Sequence, residues 1–146
     1  MTDEILQDQR CRPDLFHFFG AIAPDRLAAW LRERKLVIPD DLSRFWCETG
    51  GGDMFETETV LGPFGRTDLA DDVDSVNQFH KQKGMPADWI IFHTGIGGLS
   101  VVQILSGKYA SVREGSYEVH QAFASFSDWY ANLIRREYAS RYKLPD

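Results

Sequence analysis

The residues able to do chemistry are few and scattered. His17, His80, His93 and His120 include no pair at the two- to four-residue spacing of a local metal site. They read as structural or surface residues. His93 ends the apolar run Trp89-Ile90-Ile91-Phe92 and is the one placed to be either buried or functional. Cys11 and Cys47 stand 36 positions apart with no CxxC, and read as free thiols. There is no GxSxG elbow, HExxH, Walker loop or kinase signature. Gly95-Ile96-Gly97-Gly98-Leu99-Ser100 imitates a dinucleotide loop, but Ser100 replaces the third glycine. Val101-Val102-Gln103-Ile104 then continues as strand, where phosphate binding needs a helix N-terminus. It reads as a strand-to-strand turn. Gly50-Gly51-Gly52 lacks a following GK[ST] and reads as a helix cap and sharp turn. Asp72-Val73-Asp74 opens like a calcium loop, but Val76-Asn77 and Lys83 stand where that loop needs its Asn/Asp-Gly and its closing Glu. The expectation is no catalytic residue, no cofactor and no metal.

Charge is the more informative signal. The chain carries 22 acids and 16 Lys/Arg, a net −6. Asp53, Glu56, Glu58, Asp68, Asp71, Asp72 and Asp74 lie within 22 residues, opposed only by Arg66; outside them, acids and bases are equal in number. A nucleic-acid binder carries a concentrated patch of the opposite sign. The aromatic and basic residues near the end, Arg135 to Lys143, read as the solvated face of a packed helix. The acidic block has two readings. One is a solvated surface, partly at a helix N-terminus. The other is an electrostatic docking face for a basic protein, with Phe55 and Phe64 as hydrophobic anchors or as core.

The elements that must position these groups are legible in turn. Pro24 to Lys35 reads as a helix with Leu27, Trp30 and Leu31 as its stripe, and Asp14 to Phe19 as a short helix before it. Pro39 opens a second clear helix, with Leu42, Phe45, Trp46 and Thr49 at helical spacing. Glu56 to Leu61 alternates as a strand, Asp71 to Lys83 as a helix, and Trp89 to Phe92 as a buried strand. Leu99 to Leu105 and Lys108 to Arg113 form a hairpin about Ser106-Gly107. Ser125 to Asp128 is a capping box for a last helix carrying Phe126, Tyr130, Leu133, Ile134 and Tyr138.

Short turns between the later strands require antiparallel pairing. The fold class is therefore α+β, one compact unit with an antiparallel sheet packed by helices. Residues 1–37 form an N-terminal helical extension and residues 38–146 the main domain. The length, 146 residues, suits one core. No apolar run spans a membrane, and Met1 to Arg12 lacks a signal-peptide pattern, so the expected compartment is the cytoplasm.

Ile38-Pro39-Asp40-Asp41-Leu42, Phe45-Trp46 and Gly50-Gly51-Gly52 together resemble the opening of the SUKH superfamily. That group holds fungal cell-wall synthesis regulators and bacterial toxin-immunity proteins. Trp89-Ile90-Ile91-Phe92, Gly97-Gly98 and Gly107-Lys108-Tyr109 resemble its strands, and Phe126-Ser127-Asp128-Trp129-Tyr130 its closing helix. The resemblance covers Ile38 to Leu133 and implies binding rather than catalysis. Its Trp46, Gly50, Gly51 and Trp89 would be fold determinants. It implies a cytoplasmic immunity protein that occludes a cognate toxin. Joined to the charge reading, the toxin is a basic protein such as a nuclease, and the partner-binding residues are Asp53, Phe55, Glu56, Glu58, Phe64, Asp68, Asp71, Asp72 and Asp74. The alternative is a SUKH-type interaction module with a regulatory or cell-envelope client. A third reading assembles an enzyme site from His93, Asp53 and Glu56. A homodimer is left open.

Overall fold

The computed structural model describes residues 3–145. Met1, Thr2 and Asp146, the outermost residues of the two expected segments, lie outside the described residues. Helix α1 (Asp3–Cys11) is followed by strand β1 (Phe16–Phe18), then helices α2 (Pro24–Glu33) and α3 (Asp40–Thr49). Strands β2 (Gly52–Met54) and β3 (Glu58–Val60) precede helix α4 (Val73–Gln82). Strands β4 (Trp89–Gly95), β5 (Gly98–Gln103), β6 (Lys108–Val112) and β7 (Val119–Phe123) follow. The chain closes through α5 (Phe126–Trp129), a π-helical turn (Tyr130–Arg135) and α6 (Arg136–Tyr142). The seven strands form one antiparallel sheet in chain order, each bonded to its neighbours in sequence. This is the expected α+β class.

The helices form where stripe and cap agree. In α3, Leu42, Phe45 and Trp46 are fully buried. Gly50 ends α3 in the left-handed conformation, its amide bonded to Trp46 O at 2.8 Å. Asp72 caps α4 by accepting from Ser75 N at 2.9 Å. Ser125 caps α5 by accepting from Asp128 N at 3.0 Å, while the Asp128 carboxylate accepts from Ala124 N at 2.9 Å. Helices α3 and α5 meet through Phe45 and Phe126, whose centroids are 4.8 Å apart, on the sheet face that presents Phe92 and Tyr109.

Three local expectations are corrected. Asp14 to Phe19 is not a helix. Pro13–Leu15 makes one tight turn, and Phe16–Phe18 then pairs with Met54 to Gly52 as an edge strand. Long-range pairing overrides the local pattern there. The N-terminal segment thus contributes a strand as well as helices. Strand β2 was not anticipated, since Gly-Asp-Met has poor β-propensity. A Cβ on Gly52 would come within 2.3 Å of His17 O, so the strands approach only because Gly52 is bare. Strand β7 also escaped expectation. It is an edge strand with only Phe123 buried, and so lacks the alternation of a half-buried strand.

Asn77 of α4 completes the sheet where β3 is too short to cover β4. Its side chain accepts from Ile91 N at 2.7 Å and donates to Ile91 O at 3.0 Å. One amide side chain thus stands in for a strand's peptide group.

Candidate functional site

The acidic block does not fold into one face. Glu58 lies inside the protein. Asp71 and Asp72 are buried too, Asp71 against Arg66 and Asp72 as the α4 cap. Arg66 bridges Asp71 at 2.6 Å and Asp53 at 2.8 Å. Burial outweighs the pull of Arg66 and holds the Asp71 carboxyl above its ordinary value. Asp74 forms a two-toothed pair with Arg34, at 2.8 and 2.7 Å. Glu56 and Asp68 face solvent.

The two expected anchors separate as well. Phe64 is 39% exposed, with the Arg26 guanidinium 3.8 Å above its ring. Phe55 has no exposed surface and stacks on Tyr138 at 4.9 Å with the rings almost parallel. The anchor reading of Phe55 is corrected: it is core, and cannot meet a partner without unfolding. Glu58 is corrected too: its carboxylate is buried and held by internal donors, and so is not part of an acidic surface.

What the fold brings together is a buried polar network. Glu58 Oε1 accepts from His93 Nε2 at 2.8 Å. Glu58 Oε2 accepts from Tyr138 Oη at 2.7 Å, Thr57 Oγ1 at 3.1 Å and the Ile96 amide at 3.3 Å. His93 Nδ1 lies 2.8 Å from Ser100 Oγ, and Ser100 Oγ accepts from Trp129 Nε1 at 2.9 Å. Burial alone would raise the Glu58 carboxyl. Hydrogen bonding and charge from His93, with Tyr138 and the Ile96 amide, outweigh it and hold the group below the usual glutamate value. Burial and the neighbouring carboxylate push the Tyr138 phenol up to about 12, against the opposing bond from Thr57.

Two local devices build this network. A bulge between Ile91 and His93 breaks the alternation of β4. Consecutive residues Phe92 and His93 consequently both pack on Trp129, at 4.8 and 5.1 Å. Gly95 supplies the space: a Cβ there would sit 1.9 Å from Glu58 Oε1.

Glu58, His93 and Ser100 are the residue types of a hydrolytic triad, bonded in series inside the fold. Ser100 has no exposed surface and its oxygen is held by Trp129. A nucleophile must meet its substrate. The sequence reading marked His93 and Glu58 but not Ser100, Trp129 or Tyr138. The usable signal was the unexpected polar pair His93 and Ser100 in otherwise apolar strands. The register, which sets them opposite each other, depends on the bulge. Among the described residues, no group of three His, Cys, Asp or Glu is placed to hold a metal ion.

Above the network lies a cleft of about 610 Å³. Its floor includes Ser100 and Ser111, cross-strand partners of β5 and β6. Leu133 and Ile134 of the π-helical turn form an apolar wall. Such turns widen a helix locally and recur at functional sites. Glu114 and Glu137 stand exposed among the lining, with Arg113 and His120. The Ser111 hydroxyl is buried and lacks a hydrogen-bond partner.

A fold of this order, with a Trp-bearing α3, a triple-glycine exit and a closing Phe-x-x-Trp helix, defines a SUKH-type domain. The SMI1 / KNR4 family (SUKH-1) matches residues 21–132, and the chain belongs to that family. Comparison with curated proteins gives no match. Membership supports a general role as a protein-interaction or regulatory module.

Proposed function

We propose that this chain is a stoichiometric binder, an immunity protein that neutralises a cognate toxin in the bacterial cytoplasm and makes or breaks no bond. The observation that carries the reading is a division of labour among polar side chains. Those that an enzyme would use, Glu58, His93 and Ser100, are tied to one another inside the core. The acids that meet solvent include Glu56, Asp68 and Asp74, on a protein of net charge −6. Such a surface draws in a basic protein, as a nuclease toxin would be, and raises its association rate. Family membership supports the same class of function.

The test is co-expression with the product of the adjacent gene. Protection of the cell and a one-to-one complex are expected. Absence of both overturns the reading and leaves the other family role, a module with a regulatory or cell-envelope client. Turnover of a substrate by the purified chain would overturn the claim that it works by binding alone.

A further inference from the structure

We propose that the cleft beside the π-helical turn is a socket for a basic side chain of the protein partner. It would take the cation of a lysine or arginine together with its aliphatic stem. The inference rests on the reading that the chain binds a basic protein. It adds the place and the chemistry of recognition, whose attracting groups, Glu114 and Glu137, lie outside the acidic stretch 53–74.

Three independent features define the occupant. The first is an unanswered polar group. Ser111 is only 8% exposed, borders the cleft, and its Oγ has no partner. Buried hydroxyls are nearly always bonded, so one left open at a cavity wall is set for a ligand atom. The second is charge. Three carboxylates line the cleft, Glu58, Glu114 and Glu137, against one permanent cation, Arg113. Both oxygens of Glu58 are already held by His93, Tyr138, Thr57 and the Ile96 amide, which leaves Glu114 and Glu137 as the attracting groups. Glu137 also touches Arg141 at 3.5 Å, but both are well exposed and such pairs are weak. The third is shape. Leu133 and Ile134 provide an apolar flank for a methylene stem, and about 610 Å³ is room for a long side chain with some water. An anion would face two carboxylates. A purely apolar group would leave Ser111 unpaired.

The test uses the full chain, followed by amide NMR at Ile96, Gly97 and Ser111. N-acetyl-lysine methylamide, N-acetyl-arginine methylamide and the uncharged norleucine counterpart are the probes. The lysine or arginine probe should shift these amides saturably, with norleucine weaker by about tenfold. Ser111→Ala removes an unpaired hydroxyl and so retains the fold. Ser111→Ala and the double variant E114Q/E137Q should each weaken the basic probe by about three- to tenfold, with unchanged thermal melting. Equal binding of norleucine, or no shift with either basic probe, overturns the socket. Tighter binding of free n-pentylamine than of the lysine probe would assign the cleft to a small amine and overturn the protein-borne occupant. Cell protection by wild type and by E114Q/E137Q alike, with no probe binding, defeats the socket and leaves the immunity reading intact. Probe binding without protection defeats the immunity reading and leaves the socket.

Discussion

Glu58 of β3 and His93 of β4 hold each other at 2.8 Å with almost no contact with water. Neither is opposite the other in the strand register, where His93 faces Val60. The pair is reached by side-chain length and by the missing Cβ of Gly95. A buried pair is weak evidence of net stabilisation, but losing one partner strands the other.

Glu58→Gln should therefore destabilise the fold by about 3 kcal/mol, and His93→Ala by a similar amount. Urea unfolding measures both. The double variant should cost clearly less than the two singles summed, because each single change removes the same contact.

Acid should weaken the protein in two windows. The His80 ring is buried against Tyr117, and burial lowers its pKa from an ordinary value of 6.5. A histidine kept neutral by the fold contributes stability above that ordinary value, and the contribution is lost as pH falls below it. The lowered Glu58 carboxyl contributes above the ordinary glutamate value near 4.5 and is lost as pH falls through its folded value. Melting temperature against pH should decline first below about 6.5 and again below about 4.5. His80→Phe should remove the first decline and leave the second.

Asn77→Ala should cost about 2–3 kcal/mol, since it strips partners from both Ile91 N and Ile91 O at once. Asn77→Asp keeps an acceptor for the Ile91 amide but sets a carboxylate against the Ile91 carbonyl, and should be no better. Hydrogen exchange at Ile91 would accelerate in both variants.

Two glycines in one hairpin should respond oppositely. Gly95→Ala drives a Cβ to within 1.9 Å of Glu58 Oε1 and should disrupt the network. Gly97 has nothing within 4 Å of its ideal Cβ and no positive φ, so Gly97→Ala should be neutral or stabilise by about 0.5 kcal/mol. Denaturation midpoints separate the two.

Glu56→Gln with Asp68→Asn should change stability by less than about 0.5 kcal/mol, because both carboxylates are exposed. If the acidic surface steers a basic partner, association should slow several-fold at low salt and converge with wild type at high salt. Stopped-flow mixing at two ionic strengths reads this directly.

Much of the architecture was readable from local signals. Phe45 and Trp46 at helical spacing, Gly50 after Thr49, and Ser125 three before Asp128 each fix an element by capping or stripe. Pairings formed across the chain were less readable. Phe16–Phe18 looks helical until Gly52 offers it an edge. The site was harder still. Linear clustering made Glu58, Asp71 and Asp72 look like one surface with Glu56 and Asp68. The side chains diverge because a strand alternates its faces and a helix cap turns its carboxylate inward. Ser100 and Trp129 join Glu58 through His93 beside the bulge at Ile91/His93, and Tyr138 reaches Glu58 directly from α6.

The sheet runs in the order of synthesis, but its polar centre does not finish in that order. Glu58, His93 and Ser100 emerge from the ribosome well before Trp129, which donates to Ser100, and Tyr138, which donates to Glu58. A nascent chain halted after β7 would hold all seven strands yet lack the indole and the phenol that close off the pair. Water would remain around that carboxylate and imidazole until the last helix docks. The final turns of the chain thus act as the latch that dries the interior, and truncation inside α5 should leave a sheet-rich, loosely packed intermediate.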